Sequence, residues 1–387
     1  MTRPLDTILA VGPIPPPYDG QSVAFALLVR TLGDRGISHK IFDISPRTQQ
    51  RGRTFFQRLV AYTQQLPSFT WTALRHRGAT VYITIAQSRR GFFRDAAFVW
   101  LARLASSRVV AHLHGGNYAG FYATQSPWLR LWIRATLRRI DRIIVLGESL
   151  RSMFDFLDSM KPQVCVVQNG LPNALPAAIR TKDLPAAGSS PIRLLYLSNL
   201  IESKGYFDLL EAVRILHFEK GLDLCVDFCG DFVANPSDDR RVRDADHARA
   251  LFAAFVRENG LDGFVRYRGV VTGERKEELL ASAHFLVLPT RYDNEGQPIS
   301  ILEAMAHGCV VIATNHRAIP EMIEHATNGW LVPFDSPEKI AEGIALLVEN
   351  PDWYRRMSDA AKATVGSRFT QEAHVERLLA VLAGTQS

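Results

Sequence analysis

Cysteine is scarce in this 387-residue sequence, and the four present are not arranged to do chemistry. Cys165, Cys225, Cys229 and Cys309 each lie inside an apolar, strand-like run. Cys225 and Cys229 sit four apart in Leu-Cys-Val-Asp-Phe-Cys-Gly, but no histidine or second pair completes a metal set. A disulfide scaffold and a zinc module are excluded, and buried thiols in a reducing cytoplasm are expected. Long apolar runs are missing too: Arg103 and Arg108 break the nearest approach to the roughly 18 uncharged residues of a membrane span, and Met1–Val11 lacks the layout of a signal peptide. The expectation is a soluble or peripheral cytoplasmic protein. Gly-x-Gly-x-x-Gly is absent, which removes a dinucleotide fingerprint, and no internal repeat is visible. With 47% hydrophobic and 22% charged residues, the chain is globular and long enough for two domains.

Acidic residues are rare in one half only. Residues 1–190 hold 24 Lys and Arg against 10 Asp and Glu, whereas residues 191–387 hold 21 against 29. An excess of this kind speaks to association rather than fold. An anionic membrane leaflet, an acidic acceptor and nucleic acid are the candidate partners. Nucleic acid loses ground because no helix-turn-helix, finger or RNA-binding signature accompanies the charge. The basic half also interleaves Arg with aromatics, as in Arg53-Thr-Phe-Phe-Gln-Arg, Arg89-Arg-Gly-Phe-Phe-Arg and Trp128–Arg139. Two readings stay open: an interfacial surface, or core aromatics beside a solvated arginine face.

The stretch that organises the rest is Arg291-Tyr-Asp-Asn-Glu-Gly-Gln-Pro-Ile-Ser-Ile-Leu-Glu-Ala-Met-Ala-His-Gly. An apolar strand, His284–Pro289, precedes it. Pro298 suits the first turn of a helix, so the helix is expected just after Glu295. Ile299, Leu302, Met305 and Ala306 then share one face, and Gly308 ends the helix before a strand at Cys309–Ala313. A β-loop-α-β unit of a parallel sheet sets such a loop at the carboxyl edge, where amide groups and the helix dipole attract a phosphate. Glu295 lies in the loop and Glu303 in the second turn. Acids beside a phosphate site need neutral hydroxyls to accept from, as sugars and ribose provide.

Three other places carry candidates. Strand Thr7–Val11 leads into a proline-rich loop ending at Asp19-Gly20, then a helix from Ser22 to about Gly33, and Gly20 allows close approach of backbone to ligand. The strand in Arg108-Val-Val-Ala-His-Leu-His-Gly-Gly116 ends in two histidines and two glycines, and His112 and His114 share a face, with His114 at the sheet edge and no third metal ligand nearby. Lys204-Gly205 follows the strand Ile192–Ser198 at a helix start, where a lysine adds charge to the amide dipoles. Asp244-Ala-Asp246 matches a metal-binding Asp-x-Asp formally but sits among alternating charges entering a helix, so a solvated face is expected.

Glu295 and Glu303, with seven residues between them inside Glu-Gly-Gln-Pro-Ile-Ser-Ile-Leu-Glu, resemble the signature of retaining GT-B glycosyltransferases of family four. The resemblance implies an α/β fold of two Rossmann-like domains with parallel sheets facing a central cleft. Residues 1–185 would form the acceptor-side domain and 186–366 the nucleotide-sugar domain, with 367–387 a helix returning to the first. It also implies transfer of a sugar from a nucleoside diphosphate sugar to a glycan or lipid-linked acceptor, in glycan, polysaccharide or glycolipid synthesis, without a metal or other cofactor. In those terms Glu303 holds the ribose, Glu295 and His114 face the donor sugar, and Gly20, Lys204, Asn199, Gln297, Ile299 and Ser300 surround the diphosphate. Pro298 stands where many members have Gly and Asn199 where many have Arg, so one amide and one cation are missing. A sugar-nucleotide epimerase on the same fold and a non-catalytic nucleotide-sugar-binding partner of a polysaccharide assembly are the alternatives. Sequence leaves the sugar, base, linkage and oligomeric state open, as it does peripheral placement on the inner membrane face.

Overall fold

A computed structural model describes residues 7–16, 18–45, 65–160, 162–173, 182–186, 188–235 and 237–385. The chain divides into two compact units, Met1–Asn173 with Gln371–Ser387, and Ala174–Thr370. The Arg53-Thr-Phe-Phe-Gln-Arg stretch lies outside the described residues.

The first unit is built on a six-stranded sheet of β1 (Ile8–Gly12), β2 (His39–Asp43), β3 (Thr80–Ile85), β4 (Arg108–Leu113), β5 (Arg142–Val145) and β6 (Gln163–Val166). Its order is β2-β1-β3-β4-β5-β6, and every pairing is parallel. The inner strands β1 and β3 are buried end to end because helices cover both faces, as parallel sheets require, while the edge strand β2 is half-exposed. The helix Gln371–Ala383 closes one side: Val375, Leu378, Val381 and Leu382 share a core with Ile8, Ala10, Phe25, Tyr82 and Val110.

In the second unit β7 (Ile192–Leu197), β8 (Leu224–Cys229), β9 (Val265–Gly269), β10 (Phe285–Leu288), β11 (Val310–Thr314) and β12 (Trp330–Val332) form a parallel sheet of order β12-β11-β10-β7-β8-β9. The chain winds outward from β7 through β9, then returns to its other side at β10. That reversal between β7 and β10 opens the kind of crevice where α/β sheets take ligands. Lys182, just ahead of the boundary expected at residue 185, already belongs to this unit: its ammonium donates to the carbonyls of Leu280 (2.6 Å) and Ala283 (2.5 Å). All four cysteines are buried free thiols. Among the described residues, no helix is long and apolar enough to cross a membrane.

Candidate functional site

The turn after β7 is pinned before it reaches Lys204. The Tyr196 hydroxyl donates to the carbonyls of Asn199 (3.2 Å) and Lys204 (3.4 Å), and Gly205 follows in a left-handed conformation at φ +79°. A Cβ on Gly205 would stand 2.3 Å from the Pro289 carbonyl oxygen at the end of β10, so only glycine lets the two strand ends close on each other. This approach carries the Lys204 ammonium to 3.2 Å from Glu295 Oε2 and 3.1 Å from Ser198 Oγ. Thr290 Oγ1 donates to the same carboxylate oxygen at 3.3 Å, and the Tyr292 ring lies 5.2 Å from the ammonium. The pair is well shielded, with side-chain exposures of 15% for Lys204 and 9% for Glu295. Removing one partner would leave the other charge nearly dry, which costs about 3–5 kcal/mol.

The acidic helix runs from Ile299 to Ala306, three residues later than the sequence placed its start. Pro298 is not in the first turn. It stands outside at φ −64°, ψ 116°, because its ring fixes φ while the extended loop behind it still has to turn. Ile299 and Ser300 therefore carry the first amide groups of the helix, which no preceding turn satisfies. Gln297 is buried just ahead of them, whereas Asn199 is exposed. Glu303 is buried in the second turn and pairs with Lys276 Nζ at 2.6 Å. Lys276 and Glu277 belong to the helix Gly273–Ser282, and together they clasp the acidic helix: Glu277 meets His307 Nε2 at 2.8 Å, while His307 Nδ1 contacts the Glu303 carbonyl at 2.8 Å. Sequence reasoning missed Lys276. A lysine in Gly-Glu-Arg-Lys-Glu-Glu carries no sign that it faces inward.

Glu202 anchors the surrounding wall. One of its carboxylate oxygens accepts the amide N–H groups of Arg240 (2.9 Å), Arg241 (2.7 Å) and Val242 (3.0 Å). Asp244 is the cap of the helix Ala245–Glu258, accepting from the His247 amide at 2.8 Å. That accounts for its place in the formal Asp-x-Asp.

In the first unit, Gly20 opens the helix Gly20–Asp34, two residues earlier than the sequence indicated, because Asp19 and Ser22 form a reciprocal cap. His112 and His114 stack with ring centroids 4.0 Å apart. His112 meets the Tyr82 hydroxyl at 2.8 Å and is part of the core. His114 lies just past the end of β4, and among the described residues neither ring nitrogen has a hydrogen-bond partner although both are buried. Burial, with His374 second, holds its pKa down at about 3; burial likewise drives His112 well below the usual histidine value. A neutral imidazole with two unengaged nitrogens can both accept from and donate to a ligand hydroxyl. The structure thus gathers Lys204, Glu295, Gln297, Ile299, Ser300 and Glu303 around one strand reversal in the second unit, with Gly20 and His114 on the first.

Residues 181–364 match the family described as Glycosyl transferases group 1. The amylovoran biosynthesis glycosyltransferase AmsK of Erwinia amylovora is 28% identical over 196 residues, which is 50% of this chain and 44% of that protein. The putative colanic acid biosynthesis glycosyltransferase WcaL of Salmonella typhimurium is 28% identical over 204 residues, 51% of this chain and 46% of that one. The aligned stretches thus span less than half the length of these two relatives. A structure of Anabaena Alr3699/HepE in complex with UDP and glucose superposes at a TM-score of 0.70 with 16% identity, covering 98% of this chain and 100% of that one. Sucrose-phosphate synthase from Thermosynechococcus elongatus superposes at 0.72 with 17% identity, covering 97% and 98%.

Proposed function

We propose that this chain, which belongs through residues 181–364 to the glycosyl transferases group 1 and has the GT-B fold, moves a sugar from a nucleoside diphosphate sugar to an acceptor hydroxyl with retention of configuration. The observation that carries this reading is the Lys204–Glu295 pair, 3.2 Å apart at the β7–β10 reversal and beside the first amides of the Ile299–Ala306 helix. A diphosphate there draws the Lys204 ammonium toward itself and frees Glu295 to face the sugar. Glu303 exchanges its Lys276 contact, wholly or in part, for the ribose hydroxyls. As the glycosidic bond breaks, negative charge grows on the leaving diphosphate, where Lys204 and the amides of Ile299 and Ser300 meet it. Loss of one such charged donor costs roughly 1.5–3 kcal/mol of transition-state stabilisation. Glu295 faces the oxocarbenium-like carbon. The resemblance adds Gly20 to the diphosphate side and His114 to the sugar side, with neutral nitrogens suited to hydroxyls. No carboxylate is assigned as a nucleophile, and no metal is needed for these steps.

AmsK and WcaL are named for polysaccharides, which supports a glycan or lipid-linked acceptor in exopolysaccharide assembly, reached from the cytoplasmic side by a peripheral protein. The HepE complex with UDP makes UDP sugars the first donors to try. The test is a thermal-shift screen with UDP, GDP and ADP, followed by diphosphate release from the matching donor sugars with and without acceptor. Acceptor-dependent release that collapses in Glu295→Gln is expected. Isomerised donor without acceptor would indicate an epimerase, and product formation untouched by Glu295→Gln would indicate a binding partner.

A further inference from the structure

The first unit carries an apolar face that nothing in the described structure covers. Its helix Pro127–Leu137 buries Leu129, Ile133, Thr136 and Leu137, the usual inward stripe. The opposite stripe is apolar as well: Trp128, Leu131 and Trp132 follow one another at helical spacing, with exposures of 60%, 66% and 41%. Beside it, the helix Arg89–Leu104 turns out Phe93 and Leu104, 47% and 75% exposed, with the half-buried Trp100 between them. The two stripes join. Phe93 lies 6.5 Å from Trp128, Trp128 lies 6.0 Å from Trp132, and Trp132 lies 6.2 Å from Trp100, measured between ring centroids. Side chains of this size, linked on one face, form a patch rather than scattered exposure.

Charge says what the patch meets. Between Arg89 and Arg139 there are nine arginines and a single acid, Asp95, which is buried against Arg94 at 2.8 Å. Arg90 precedes Phe93 by one helical turn, and Arg134 and Arg138 run along one flank of the Trp128–Leu131 stripe. Arg139 lies over the Trp100 ring at 3.5 Å. Tryptophans with polar edges, a leucine between them and a margin of cations form the pattern of a surface that settles at the boundary of acyl chains and anionic headgroups. A protein partner of matching shape would have to bring its own acids, whereas an anionic leaflet supplies both layers at once.

We infer that this face, formed by Phe93, Trp100, Leu104, Trp128, Leu131 and Trp132 with their arginine margin, seats the first unit on an anionic lipid bilayer. The peripheral placement in the proposed function gives such seating its purpose, but the face stands on its own geometry. The test is flotation of the full chain with phosphatidylcholine vesicles with and without phosphatidylglycerol, alongside light scattering in the absence of lipid. The wild type is expected to float with the anionic vesicles and stay behind with the neutral ones. The bound fraction should fall about tenfold in a Trp128→Ser, Leu131→Ser double variant and by a similar factor in Arg90→Glu, Arg138→Glu. Trp128 and Leu131 are exposed, so the serine variant should keep the wild-type donor turnover on a water-soluble acceptor. A wild type that ignores anionic vesicles, or a serine variant that floats as well as the wild type, overturns the inference. So does a wild-type dimer that the serine variant splits, since the face would then cover a second copy. Donor turnover reports on the transferase reading separately, so the two can fail apart.

Discussion

Both units place candidate residues at the ends of parallel strands, yet the first sets neutral, buried histidines past β4 and the second sets opposed charges a few ångströms apart at its β7–β10 reversal. The same contrast runs through composition: the first unit has 23 Lys and Arg against 11 Asp and Glu, the second 22 against 28. In the second unit most charges near the site are already answered, Lys204 by Glu295 and Lys276 by Glu303, so a ligand must exchange partners. In the first unit arginines outnumber acids two to one, and the buried imidazoles are held uncharged by desolvation. One half holds its charges in buried pairs, which on the proposed reading a diphosphate sugar would exchange. The other is arranged to present a field outward and neutral hydrogen-bonding groups inward.

The sharpest way to break this contrast is Glu295→Gln. Turnover with donor and acceptor should fall by roughly 100- to 1000-fold, the scale of a lost transition-state partner, and initial rates near wild type would detach the acid from the chemistry. Lys204→Ala comes next, with kcat/KM lower by about 10- to 100-fold. Thermal unfolding of the same variant should also drop, because Glu295 is left without its cation. Glu303→Ala should weaken nucleotide binding about tenfold by calorimetry, the value of one or two hydrogen bonds to a charged group. Equal affinity would remove it from the ribose.

A different kind of effect concerns the histidines. His114 has a folded pKa of about 3 against an ordinary 6.5, so its depressed pKa contributes stability that is present above pH 6.5 and is lost as the pH falls toward 3. Between pH 7 and pH 5 this amounts to about 2 kcal/mol. Burial likewise lowers the pKa of His112 and His374, whereas His284 in the second unit is held at about 4. Hydrogen exchange at the two pH values should therefore show the first unit loosening more than the second, and His114→Gln should flatten that difference. Equal loosening of both units would undo it.

Much of the second unit's site could be read in advance because its chemistry is local in sequence. Glu295, Pro298 and Glu303 fall within one loop and helix, and helical spacing with Gly308 marked where that helix stopped. What escaped was paired across distance. Lys276 reaches Glu303 from another helix and His374 reaches His114 from the end of the chain, and neither has a neighbour that announces it. The capping of Asp19 and Asp244 shifted one helix start and explained one acidic motif, since a short polar side chain reads alike as a cap or as a loop residue until its amide partner is seen. The aromatic-basic stretches stayed ambiguous for a different reason. In Pro127–Leu137 both faces are apolar, and periodicity says that two faces exist without saying which one a neighbouring helix takes.

The helix Gln371–Ala383 has a consequence for how the molecule is made. Arg108 donates to the carbonyls of Leu382 (2.7 Å) and Val381 (2.9 Å), and His374 contacts the Gln168 carbonyl at 2.8 Å, so the earlier sheet is completed by a helix that follows the whole second unit in the chain. While a ribosome is still extending the chain, residues 174–370 already hold every strand of their own sheet, but the earlier sheet lacks one wall of its core. The earlier sheet therefore gains that wall only after the whole second unit has been made, and it is the one that needs shelter from aggregation until the helix Gln371–Ala383 emerges.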